Sequence, residues 1–256
     1  LPLAHAYSCA FNFLVPMAVG AHVYLLGKVP SPKILLKAFE EVKPNLILTV
    51  PLILEKIYKK MILPQLSKTT MKVALNIPLL DSRIYAQIRK KLVDAFGGRF
   101  REVIVGGAAM NEEVTNFLYK IKFPFTIGYG MTECGPLISY DHNDEYVPGS
   151  CGQILKGIMK VRIDSEDPYN KVGEIQVSGE NVMKGYYKNE EATSKVFTED
   201  GWLRTGDLGT IDADNRIYIR GRSKTMILGA SGQNIYPEEI ESKLNNLPFV
   251  MESIII

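Results

Sequence analysis

Twelve consecutive residues, Phe125-Thr126-Ile127-Gly128-Tyr129-Gly130-Met131-Thr132-Glu133-Cys134-Gly135-Pro136, combine the side-chain types that nucleotide chemistry needs. An apolar strand runs into two glycines that bracket an aromatic ring, and a hydroxyl and a carboxylate follow side by side. Glycine at a strand's end lets the backbone approach a ligand closely, because no Cβ intervenes. Tyr129 offers a flat face for a base, while Thr132 and Glu133 suit a phosphate and its metal ion. Gly128 and Gly130 also begin a dinucleotide-type GxGxxG spacing, but Glu133 stands where the third glycine belongs. A tight turn between strand and loop accounts for the same residues equally well. A second candidate is Asp207, expected at a strand end between Gly206 and Gly209; an aspartate beside glycine is also an ordinary turn residue.

Several motifs in one order decide between these readings. Tyr129-Gly130-Met131-Thr132-Glu133 resembles the YGxTE core of the adenylate-forming superfamily, which includes acyl-CoA synthetases, luciferases and peptide-synthetase adenylation domains. Leu203-Arg204-Thr205-Gly206-Asp207 resembles that family's (Y/L)RTGD motif. Gly221-Arg222-Ser223-Lys224 through Gly232, with Pro237-Glu238-Glu239-Ile240-Glu241, resembles its hinge segment. Gly173-Glu174-Ile175 and Gly185-Tyr186-Tyr187 resemble a further motif, to which a scaffolding role is assigned. Leu1-Pro2-Leu3-Ala4-His5-Ala6-Tyr7 resembles an LPLFHxx segment, with Ala4 in place of the usual aromatic.

The resemblance implies a two-step reaction. A carboxylate attacks the α-phosphate of ATP to give an acyl-adenylate and pyrophosphate, and a thiol, usually that of coenzyme A, then displaces AMP. Concentrating negative charge between two anions calls for a metal ion, cationic groups and strict positioning. The resemblance assigns Glu133 to Mg2+, Thr132 to phosphate, His5 to the acyl carboxylate and Lys224 to the hinge. It assigns Gly106, Gly107, Ala108, Gly128, Tyr129, Gly130 and Met131 to the adenine side of ATP or AMP, and Asp207 and Arg222 to the ribose and phosphate. The polar loop Gly229-Ala230-Ser231-Gly232-Gln233 resembles the segment that borders the pantetheine tunnel after domain rotation.

Composition bounds the alternatives. The 256 residues are 46% hydrophobic and 23% charged, the profile of a globular protein, with room for one large domain or one and a fraction. A formal net charge of +2 leaves no electrostatic footprint for nucleic acid. Cys9, Cys134 and Cys151 show no metal-binding spacing and read as packed thiols in a reducing, cytoplasmic setting. The resemblance adds peripheral association of the full enzyme with the inner face of a membrane; oligomeric state has no signal in the sequence. The apolar run from Cys9 to Leu26 is interrupted by Asn12, Pro16, Gly20 and His22, so it reads as a short core helix followed by a strand.

The elements that must position these residues are legible from periodicity. His22 to Leu26 reads as a buried strand, Pro32 to Val42 as a helix with proline at its start, and Asn45 to Val50 as a second strand, together a parallel βαβ unit. Ile62 to Leu80 is less regular. Ser82 to Phe96 reads as an amphipathic helix, with Ser82 as its cap and Gly97-Gly98 as its stop. Arg101 to Val105, a helix from Asn111 to Lys122, and Phe123 to Ile127 make a second βαβ unit. In open parallel sheets ligands bind beyond the carboxyl ends of strands, where Gly106-Gly107-Ala108 and Gly128-Tyr129-Gly130 are expected to converge. From Asp141 onward the expected strands are short: Ile158–Ile163, Gly173–Val177, Trp202–Arg204, Gly209–Asp212 and Arg216–Ile219, followed by a helix at Pro237–Leu244. The expected fold is α/β: parallel βαβ sheet units over 1–141, a β-rich subdomain over 142–221, and the start of a small α+β C-terminal domain over 222–256.

Both ends read as cut, since the chain opens inside a motif and Ile254-Ile255-Ile256 reads as a strand in progress. The sequence holds no Gly/Ser/Thr-rich phosphate loop ending in lysine and no GxxxxGK[ST], and it is expected to stop before the C-terminal lysine that the resemblance implies at the α-phosphate. The 256-residue chain alone is therefore expected not to support acid-dependent pyrophosphate exchange, since losing one such charge-stabilising group typically costs roughly 3 kcal/mol. The sequence texture, above all Gly232-Gln233-Asn234-Ile235-Tyr236-Pro237-Glu238-Glu239, points to a fatty acid–CoA ligase of long-chain type, with fatty acid, ATP and CoA as substrates. Two other readings stay open: a ligase that loads acyl groups onto a carrier protein, and a nucleotide- or acyl-binding module without catalysis.

Overall fold

A computed structural model of the chain describes residues 2–27, 31–78, 80–228, 234–247, 250 and 253–255. It divides into two units, residues 1–126 with 142–148, and residues 127–141 with 149–256.

Three strands form one sheet in the order β1-β2-β3: β1 (Leu46–Thr49) and β2 (Glu102–Val105) in the first unit, and β3 (Phe125–Ile127), at whose last residue the second unit begins. β1 and β2 run parallel, pairing Leu46 with Glu102 through Thr49 with Val105. The helices around them start where the sequence predicts. Pro32 opens Pro32–Val42, whose first turn is capped by Ser31 Oγ accepting from Ile34 N at 3.4 Å. Asn111 Oδ1 accepts from the amides of Glu113 (3.0 Å) and Val114 (3.3 Å), starting Glu112–Lys120. Phe96 sits at the centre of the core, with ring centroids 5.4 Å from Phe39, 5.9 Å from Phe100 and 5.6 Å from Phe123. Ile47, Val103, Val105, Leu118 and Phe125 complete that core.

Several expectations for this unit are corrected. Residues 21–27 form no strand; Tyr24, Leu25 and Leu26 are exposed, and no described strand offers His22–Leu26 a ladder. The run before it is helical (Ala6–Ser8, Cys9–Leu14, Val15–Ala18), but Leu14, Val15 and Met17 are exposed, so it is no core helix. Its buried residues are Ser8 and Tyr7, whose hydroxyl donates to the Ile104 carbonyl at 3.2 Å. The long helix spans Leu80–Ala95, beginning before Ser82; Ser82 is not its cap but donates its amide to Asp81 Oδ1 at 2.6 Å. Ile62–Leu80, irregular in the sequence, carries two short helices, Leu63–Leu66 and Thr69–Leu75.

The second unit is dominated by antiparallel pairing. β4 (Tyr129–Gly130) pairs with β5 (Leu137–Ser139), and β6 (Met159–Asp164), β7 (Gly173–Gly179), β8 (Leu203–Ile211) and β9 (Ile217–Arg222) form a four-stranded sheet in that order. Ile138, Ile163, Ile175, Val177, Leu203 and Ile217 fill its core. A short pair, β10 (Ile227–Leu228) with β11 (Asn234–Ile235), precedes the helix Pro237–Leu244. The expected strands Trp202–Arg204 and Gly209–Asp212 are one continuous strand, β8, whose register shifts between Leu208 and Gly209. Ile254 and Ile255 form no strand; Ile256, Leu1 and the Gly229–Gln233 loop lie outside the described residues.

Candidate functional site

Asp207 lies within β8, not at a strand end, and faces Arg222 as its register partner on β9. Its local backbone is tied on three sides. Thr205 Oγ1 donates to the Ile175 carbonyl (2.8 Å) and accepts from Asp207 N (3.1 Å). Gly206 N donates to Glu174 Oε1 (3.3 Å), and the Gly206 carbonyl accepts from Ser223 N (2.9 Å) and Ser223 Oγ (3.1 Å). Gly206 adopts φ +73°, a left-handed conformation in which a side chain would be strained. The Thr-Gly-Asp order is thus a folding instruction: hydroxyl to the neighbouring strand, glycine for the twist, carboxylate held in place.

Into this position Tyr129 donates its hydroxyl, at 2.7 Å from Asp207 Oδ2, while Arg222 Nε lies 3.2 Å from Oδ1. Tyr129 is 7% exposed, Asp207 6%, and the Arg222 side chain 72%. The Tyr129 ring packs among Cys134, Ile138 and Ile154, so the stacking face suggested by the sequence is largely covered and its hydroxyl end carries the polar contact. Burial is the largest influence on both acids. It raises Asp207 above the usual carboxylate range, against the lowering by the Tyr129 hydrogen bond and the Arg222 charge. It also pushes the Tyr129 phenol well above its ordinary value, helped by the Asp207 charge. Glu238, on the helix Pro237–Leu244, adds to the raising of Asp207; its Oε1 accepts from Thr225 Oγ1 at 2.7 Å.

Gly130 is required by space. A Cβ there would overlap the Pro136 carbonyl oxygen, because β4 and β5 close on each other at that point. Thr132 and Glu133 follow in the turn Thr132–Cys134, with Thr132 exposed and Glu133 half-buried. Glu133 Oε1 accepts from the Tyr186 hydroxyl at 2.9 Å, and the Glu133 carbonyl from Met183 N at 2.7 Å. Lys224 is exposed in the turn after β9. Gly106, Gly107, Ala108 and His5 belong to the first unit. The glycines follow β2, and His5 caps the first helical turn, its Nδ1 accepting from Tyr7 N at 3.2 Å.

The structure therefore brings Tyr129, Asp207 and Arg222 together from positions far apart in sequence. The sequence missed Tyr186 and Glu174, treated there as scaffold, and Glu238. Nothing local marks Tyr186 as a partner of a carboxylate 53 positions earlier. A polar cleft elsewhere on the sheet is lined by Arg162, Asp164, Gln176 and Arg204, but its two arginines are already engaged, Arg162 by Asp200 and Arg204 by Glu174.

The AMP-binding enzyme family matches residues 1–187 of the chain. The chain belongs to the AMP-binding enzymes. Over its whole length this AMP-binding enzyme chain is 27% identical to a long-chain-fatty-acid–CoA ligase of Rattus norvegicus, covering 41% of that protein. The ATP-bound structure of MatB from Rhodopseudomonas palustris aligns with all of the chain at a TM-score of 0.76 and 27% identity, covering 45% of MatB. O-succinylbenzoate coenzyme A synthetase (MenE) from Bacillus subtilis, in complex with ATP and magnesium ion, aligns with 98% of the chain at 0.74 and 26%, covering 46% of MenE. The chain spans about two fifths of the length of the curated relatives it matches. The mixed α/β fold, with its parallel three-stranded sheet and its antiparallel sheets, is that of the adenylate-forming enzymes, and these curated relatives are CoA ligases.

Proposed function

We propose that this chain is the nucleotide-binding part of a fatty acid–CoA ligase of long-chain type. In the first step a fatty acid carboxylate oxygen attacks the α-phosphorus of ATP and pyrophosphate leaves; in the second the CoA thiol attacks the acyl carbon and AMP leaves. The observation that carries the reading is the Tyr129–Asp207–Arg222 constellation on the residues the motifs single out. Each carboxylate oxygen has two acceptor positions. With Tyr129 on Oδ2 and Arg222 near Oδ1, Asp207 can still accept one ribose hydroxyl on each oxygen, in a position already fixed by Thr205, Glu174 and Ser223. Arg222, exposed, is assigned by its motif to the ribose and phosphate side.

Glu133 is assigned to Mg2+, which such enzymes hold mainly through substrate phosphates. Among the described residues no three His, Cys, Asp or Glu cluster as a metal cage. One carboxylate fits Mg2+, which keeps waters and takes one or two carboxylates plus phosphate oxygens. When bound, Mg2+ would neutralise the charge developing on the phosphates. Thr132 would contact a phosphate oxygen; Gly128, Gly130 and Met131, which precede that turn, are assigned with Tyr129 to the adenine side. Gly106, Gly107 and Ala108 are assigned to adenine, His5 to the acyl carboxylate and Lys224 to the hinge by their motifs. CoA is the proposed acceptor, and long-chain acids follow from the similarity to the rat ligase.

The test is AMP release by the full-length protein with CoA across saturated acids of increasing length. Highest kcat/KM with long-chain acids supports the reading. Preference for short dicarboxylic or aromatic acids would refute the acyl assignment.

A further inference from the structure

The Glu133 carboxylate is not free to choose its orientation. Tyr186 donates its hydroxyl to Oε1 at 2.9 Å, and Oε2 has no protein partner among the described residues. Tyr186 is itself fixed. Its amide donates to Thr193 Oγ1 at 2.9 Å, and its carbonyl accepts from Asn189 N at 3.1 Å. Asn189 caps the helix Glu190–Val196 through Ala192 N at 3.0 Å. The main chain on either side of the contact is joined as well, since Met183 N donates to the Glu133 carbonyl. A half-exposed carboxylate would ordinarily sample several rotamers in water; here a phenol whose backbone is anchored to a helix start donates to one of its oxygens. The next residue, Tyr187, is 88% exposed and touches none of this.

We infer that Tyr186 is a positioning residue for the cation site: its hydroxyl holds Glu133 Oε1 and leaves Oε2 as the acceptor presented to the divalent ion that accompanies the nucleotide. Hydrogen bonds to a ligating carboxylate fix its orientation, and their removal typically weakens metal binding about tenfold or more. The inference rests on the assignment of Glu133 to the metal ion, and its test separates the two.

Mn2+ is titrated into the full-length protein with ATP present and followed by electron paramagnetic resonance, and AMP affinity is measured without metal. Tyr186→Phe keeps the ring and is expected to weaken Mn2+ binding about tenfold, leaving metal-free AMP affinity and thermal stability as in the wild type. Tyr187→Phe is expected to change nothing. In a Glu133→Gln background, Tyr186→Phe is expected to add no further loss, since the two act through one contact. If Glu133→Gln weakens Mn2+ binding while Tyr186→Phe leaves it unchanged or tighter, the inference is overturned and the assignment of Glu133 stands. An equal loss of metal-free AMP affinity in Tyr186→Phe would make Tyr186 merely structural. If Glu133→Gln itself leaves Mn2+ binding unchanged, the assignment of Glu133 fails and the inference with it.

Discussion

Burial raises the proton affinity of the Asp207 carboxyl more than Tyr129 and Arg222 lower it, so the charged form is only partly compensated in the ligand-free protein. The native state then holds a proton over a pH interval in which the unfolded chain has already lost it. Stability from this group therefore falls as pH rises from the ordinary carboxylate value through the raised one. As pH rises from the ordinary carboxylate value, the melting temperature of wild type minus that of Asp207→Asn should move against the wild type; movement in its favour would contradict the assignment. Tyr129→Phe removes the donor from a buried oxygen and should cost about 1–3 kcal/mol in urea unfolding. Motif order alone made Tyr129 and Asp207 legible in the sequence. That their side chains meet was not legible, because the contact joins residues 78 positions apart on strands of two different sheets.

At the scale of elements, the site depends on closures that admit no extra atoms. Gly130→Ala would drive a Cβ into the Pro136 carbonyl and should destabilise the second unit by about 2 kcal/mol or more, read as a lowered unfolding midpoint. In the first unit, Phe96→Ala removes the ring shared by Phe39, Phe100 and Phe123 and should cost about 3–5 kcal/mol. Elements with local signals were readable. Ser31-Pro32 and Asn111 start helices because caps and N-terminal proline act within one turn. Elements whose existence depends on distant partners were not. His22–Leu26 has strand composition yet no ladder among the described residues, and β8 looked like two strands because Thr205-Gly206-Asp207 has turn composition. Its continuity comes from pairing to β7 and β9, which the sequence does not display.

For the whole molecule, composition excludes little and the fold decides more. A formal net charge of +2 gives no attraction for polyanions, and among the described residues no helix is long and apolar enough to cross a membrane. Each unit carries its own buried core, aromatic in the first and β-branched in the second. The central claim is that Asp207, held by Tyr129 and Arg222, is the anchor for an adenosine ribose. Calorimetric titration of AMP into the full-length protein, wild type against Asp207→Ala, tests it most directly. The account predicts one AMP site in the wild type and an affinity lower by at least about a hundredfold in the variant, the loss of two hydrogen bonds to a charged group. An Asp207→Ala protein that remains folded and binds AMP as tightly as the wild type would contradict it.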